Sequence, residues 1–182
     1  MKARGESSRG FTIIELMIVV GIVCLLASVA TPLFLDYRAH SKTSEAMINL
    51  KLIAEGVQVY FGALHQDKSG YCPRSVGLTP PTVSKAIRNS SAEAIENGWF
   101  RTDDTWVAIG FSPASNFFYS YQYDSPCPDG PCVKIEGEVN KGYAKAVGDL
   151  DGDGDPSEHV IELTVENGVM LDSVVYSLDP TE

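Results

Sequence analysis

The chain has 182 residues, 44% of them hydrophobic and 9% aromatic, enough apolar material for one ordinary core and too much for a disordered chain. Its formal charge is -10 and unevenly placed: no Lys or Arg follows Lys145, whereas ten Asp and Glu do. This argues against a nucleic-acid backbone as the main partner and leaves a cation, or water alone, as the complement of the C-terminal surface.

The chain opens with MKARGESSRG, in which Lys2, Arg4 and Arg9 outweigh Glu6. From Leu16 to Leu35 no charged residue occurs for 20 positions, enough at about 1.5 Å per residue to cross a hydrocarbon core of roughly 30 Å. The segment is a membrane-spanning helix candidate, with the positive flank cytoplasmic and everything after Asp36 exported. A cleaved secretory signal has a shorter apolar part with a small-residue site behind it; LLASVA, residues 25 to 30, is the nearest approach and fits poorly. Glu15 stands at the head of this run, where an unpaired carboxylate is costly and calls for a partner or a function.

Gly10-Phe11-Thr12-Ile13-Ile14-Glu15, followed by the apolar run with Pro32, resembles the N-terminus of type IV pilins and of the pseudopilins of type II secretion. YRAHSKTSEAMINLKLI, residues 37 to 53, is similar to the continuation seen in type IVa pilins. The resemblance implies that a prepilin peptidase cuts between Gly10 and Phe11 and that the new amino group of Phe11 is N-methylated. The leader carries three positive charges and one negative, so its loss moves the formal charge from -10 to -12. The resemblance further implies assembly through Phe11, Glu15 and Pro32 of the N-terminal helix, with Glu15 of an incoming subunit neutralising the Phe11 amine of a neighbour. An internal pair is open as well, because the Phe11 nitrogen lies about one turn from Glu15 in a straight helix.

Beyond the apolar run, Ala46, Leu50, Ile53, Val57, Tyr60 or Phe61, and Leu64 recur at steps of three and four, with Glu45, Asn49, Lys51, Glu55 and Gln58 between them. The spacing predicts a helix from Phe11 to about Leu64, near 80 Å long, with Gly21 and Pro32 as sites of bending or local melting. From His65 to about Thr105 the Gly, Pro, Ser and Asn content predicts loop, with a short helix over SKAIRNSSAEAIE. TWVAIGF, NFFYSYQYD, CVKIEGEV, GYAKAVGDL, HVIELTV and SVVYSL then read as strands of an antiparallel meander. The fold class is α+β: a long N-terminal helix, membrane-spanning in its first half, packed against an antiparallel sheet. The resemblance implies the same lollipop. Its segments are a leader over 1–10, an assembly helix over 11–35, an amphipathic continuation over 36–64 and a head over 65–182.

Cys24 lies in the membrane run and reads as a small apolar residue. Cys127 and Cys132 bracket Pro-Asp-Gly-Pro, a turn that suits a disulfide in an exported head, while a bridge from Cys72 to either remains open. GDLDGDGDPSEHV opens like a calcium loop, with Asp149, Asp151 and Asp153 at alternate positions before Gly154. The twelfth position is Val160 where an EF-hand has Glu, so Asp155 or Glu158 has to complete a shell for one Ca2+. Aspartate and glycine also favour a plain polar turn; the calcium reading is preferred to it. No hydrolase, zinc-protease or phosphate-loop motif occurs, and His40, His65 and His159 sit in unrelated settings, so no enzyme is expected.

The expectation is therefore a pilus subunit: an inner-membrane precursor, cleaved and methylated, that the pilus assembly machinery builds into a homo-oligomeric helical filament on the cell surface, in adhesion or motility. Two alternatives stand beside it. One is a pseudopilin of type II secretion, the other a membrane-tethered, calcium-dependent adhesive module that never polymerises.

Overall fold

The computed structural model describes residues 11–63, 71–81, 94, 96–113, 116–127, 139–150, 154–166 and 169–178. Helix α1 spans Ile13–Gly62, 50 residues, and is helical through Gly21 and Pro32, so of the bending or local melting expected there the melting does not occur. Pro32 withholds the N–H that would reach the Ser28 carbonyl, and in the same stretch the hydroxyls of Ser28 and Thr31 donate back to the carbonyls of Leu25 and Ala27, each at 2.8 Å. The chain divides after His40 into two compact units.

In the first unit every described side chain from Phe11 to Phe34 is exposed. In the second, the rest of α1 lies on a five-stranded antiparallel sheet whose strands follow chain order: β1 Val76–Thr79, β2 Ser120–Asp124, β3 Val139–Gly148, β4 Ser157–Glu166 and β5 Val169–Leu178. The α+β expectation holds. One row of partners, Thr79, Tyr121, Ala146, His159 and Ser177, crosses all five strands. On β3 the inward positions are small, Gly142, Ala144, Ala146 and Gly148, and this leaves room for aromatic rings. A Cβ on Gly148 would meet the Tyr119 ring at 2.8 Å.

The core is filled from both sides. Ala46, Leu50, Ile53 and Val57 of α1 are buried as their spacing predicts, and at the last position Phe61 goes inward instead of Tyr60. They share one cluster with Phe100, Trp106, Phe111, Phe117 and Tyr121, whose rings meet mainly edge to face at centroid separations such as 5.5 Å for Phe100 and Phe111.

Two expectations are corrected. TWVAIGF was expected as a strand, yet Asp104–Ala108 is a short helix, α2. The Asp103 carboxylate caps it by accepting the Thr105 N–H at 2.8 Å, Trp106 is wholly buried, and Gly110 ends the segment at φ +67. Local capping outweighs the β-rich composition of this run. The stretch expected as loop from His65 to about Thr105 contains β1, because pairing with β2 gives the short run VGLT the ladder that it lacks by itself. Of SKAIRNSSAEAIE only Ala94 and Glu96 are described, and both are helical; Cys132 to Glu138 and the helix end at Leu64 lie outside the described residues.

Candidate functional site

Gly10 and the rest of the leader lie outside the described residues. Phe11 and Thr12 precede the first turn of α1, and Phe11 is 77% exposed. Thr12 and Glu15 form a capping box. The Thr12 backbone N–H and hydroxyl both donate to Glu15 Oε2, at 2.9 and 2.6 Å, while the Glu15 N–H donates to Thr12 Oγ1 at 3.3 Å. The signal T-x-x-E was present in the sequence and identifies Thr12 as a residue that the apolar periodicity alone does not pick out.

Ile13–Phe34, 22 residues, is long and apolar enough to cross a bilayer, about 33 Å at 1.5 Å per residue. Among the described residues of its own unit nothing covers it. Pro32 stays inside the helix and Cys24 is a free, exposed cysteine on it. The site is thus a largely apolar rod whose first turn carries one acidic group, engaged by Thr12 on one oxygen.

In the second unit α1 is fastened to the sheet by polar contacts. Asn49, expected on the polar side, is buried and its side-chain N–H donates to the Tyr121 hydroxyl at 2.7 Å. Glu45 Oε1 accepts from the Phe118 N–H at 3.0 Å and from the Tyr121 hydroxyl at 3.4 Å. Burial first, then the nearby Glu45 charge, holds the Tyr121 phenol well above its ordinary range, so it is a neutral donor here.

The acidic loop is described only at its edges. Asp149 is 3% exposed, Gly154 takes φ +99, Asp155 is exposed, and Asp151 and Asp153 lie outside the described residues. Glu158 sits on β4, its carboxylate 3.1 Å from Lys145 Nζ. Among the described residues no three acidic, His or Cys side chains converge as metal ligands. Cys72 is buried with Phe61 and Val165, which pushes its thiol up to about 12, and Cys127 packs against the same cluster; Cys132 is outside the described residues.

His159 is a residue that sequence reasoning left unplaced. It is 1% exposed, with Nδ1 2.8 Å from Ser177 Oγ and Nε2 3.4 Å from the Tyr119 hydroxyl. Burial lowers its pKa, so the neutral imidazole is the form that fits. The alternation of β4 was the available signal, since it puts His159 in phase with Ile161 and Leu163.

A long helix with an apolar, uncovered first half and an antiparallel sheet on its second half is a pilin-like α+β fold. Residues 7–31 match the model of the prokaryotic N-terminal methylation motif. The chain is 41% identical over 87 residues to the type IV major pilin protein PilA of Myxococcus xanthus, covering 48% of this chain and 39% of that one. It is 54% identical over 94 residues to the type IV major pilin protein PilE1 of Neisseria gonorrhoeae, 50% and 49% of the two chains. A fimbrial protein of Pseudomonas aeruginosa is 29% identical over 100 residues, 50% of this chain and 62% of that one. The chain thus spans about half the length of the curated relatives it matches. No solved structure matches.

Proposed function

We propose that this chain is a structural subunit of a type IV pilus, cleaved after Gly10, N-methylated at Phe11 and polymerised through its N-terminal helix. The observation that carries the reading is the apolar rod from Ile13 to Phe34, whose side chains are all exposed among the described residues and which begins within the methylation motif and carries Glu15. Before assembly the bilayer covers that surface; in the filament the same segments of other copies do. Glu15 of one copy then neutralises the Phe11 amine of another, which favours correct register because a misplaced carboxylate stays unpaired in an apolar core. The relatives named above are pilus and fimbrial proteins, which favours the pilus over a secretion pseudopilus or a solitary tethered module. The proposal assigns no reaction to the chain.

The test is Glu15→Ala expressed without a wild-type copy in a host that assembles the wild-type chain. The variant is expected in the inner membrane, cleaved to begin at Phe11, but with few filaments in the sheared fraction. A normal filament yield would remove the pairing role.

Within the same reading, Cys127 and Cys132 close the Pro-Asp-Gly-Pro turn as a disulfide, and the acidic loop holds one calcium ion. Asp149, Asp151, Asp153 and Asp155 supply the oxygens; Asp155 completes the set in preference to Glu158, whose carboxylate already faces Lys145. Calcium at a hundred times its dissociation constant then stabilises the folded chain by about 2.7 kcal/mol. Identical melting of the full chain in detergent with calcium and with chelator would reduce the loop to a polar turn.

A further inference from the structure

We infer that Thr12 is a positioning residue for assembly: it holds one oxygen of Glu15 and leaves the other for the amino group of a second copy. The inference rests on the pairing of Glu15 with Phe11 proposed above and names the group that prepares it. An ionised carboxylate only accepts hydrogen bonds, and its two oxygens take several donors between them. Here both donations from Thr12 go to Oε2, and the 2.6 Å contact from the hydroxyl is of the length expected for a charge-assisted O–H···O bond. Among the described residues Oε1 accepts none. Thr12 and Glu15 are both exposed, so a neighbouring helix reaches the open oxygen without first dislodging the held one.

Two consequences follow for assembly. The carboxylate enters an apolar environment with part of its acceptor capacity already filled by its own chain, which lowers the penalty of stripping its water. Its rotamer is also set before docking, so the amine of the incoming copy meets one geometry instead of several. The hydroxyl of Thr12 is the part of this device that a side-chain substitution removes, since the backbone N–H remains.

The experiment compares Thr12→Val, Thr12→Ser and Glu15→Ala in the full chain, in a host with the assembly machinery and no wild-type copy. Membrane insertion, the N-terminal residue by mass and the yield of sheared filaments are read for each. Thr12→Val keeps the shape and loses the hydroxyl; it is expected to be inserted and cleaved, with filament yield down about tenfold, the scale of one charge-assisted hydrogen bond. Thr12→Ser restores the donor and should restore most of the yield. In the Glu15→Ala background Thr12→Val should cause no further loss, because the group it positions is gone. Wild-type yield from Thr12→Val, equal losses from Val and Ser, or a block at cleavage would each overturn the inference. If Glu15→Ala itself assembles normally, it is the pairing with Phe11 that fails.

Discussion

Between Ile13 and Phe34 helix α1 leaves every described side chain exposed, Ile13 at 81% and Leu25 at 72%, whereas between Ala46 and Phe61 it buries Leu50, Ile53 and Val57 completely. Backbone hydrogen bonding is helical throughout, so the difference does not lie in secondary structure. It lies in which molecule supplies the second surface. The later half is amphipathic, and the sheet of the same chain covers its apolar face. The earlier half is apolar all round, a pattern that no single sheet face can satisfy and that only lipid or several other helices can. Glu15 belongs to this logic, since a charge at the head of such a rod is tolerable only with donors from its own turn or from a neighbour.

The comparison breaks most sharply under truncation. Trp106→Ala removes a wholly buried ring and the indole donor to Thr79 Oγ1 at 3.1 Å, and should destabilise the sheet unit by about 3–5 kcal/mol in a melt of the full chain in detergent. Leu25→Ala should leave that melt unchanged and lower filament yield. Comparable melting shifts from the two would mean that the earlier half is also packed within the chain.

Glycine to alanine gives a medium-sized version of the same contrast. A Cβ on Gly56 would lie 2.3 Å from the Ile109 carbonyl oxygen, so the backbones of α1 and the end of α2 would have to part, at about 1–3 kcal/mol. Gly21 meets nothing within 4 Å, and Gly21→Ala should be neutral or raise helicity by up to about 1 kcal/mol. Melting midpoint and circular dichroism of the two variants test this pair.

The smallest effect is on pH. Burial puts the folded pKa of His159 below its unfolded value near 6.5, so the unfolded chain takes up the proton first. The stability of the sheet unit is then complete above the unfolded value and is lost progressively as pH falls from it towards the folded one. Wild-type protein should melt lower at about pH 5 than at about pH 7, and His159→Gln should flatten that part of the dependence. An unchanged slope in the variant would place the acid sensitivity in other groups.

Charge and apolar runs by themselves marked the candidate membrane span and the face of α1 that seeks a core, because these depend on local order along a helix of fixed pitch, whereas a mature form beginning at Phe11 was implied by the resemblance alone and stands as proposed. The T-x-x-E cap of Thr12 and Glu15 was equally local and was legible in the same stretch. The strands β3 and β4 were legible too, through alternation over many residues, and β5 through its β-branched run SVVYSL. Other features depended on distant partners. VGLT is a strand only beside β2, Trp106 of the short helix Asp104–Ala108 is buried by the aromatic core around it, and Asn49 is buried where the Tyr121 hydroxyl stands opposite to receive its N–H. The same holds for Glu158, whose carboxylate meets Lys145 of the neighbouring strand β3. Tertiary structure decided these cases because the cost of burying a polar group, or of leaving a short strand unpaired, is set by what lies across the space and not by what lies next in sequence.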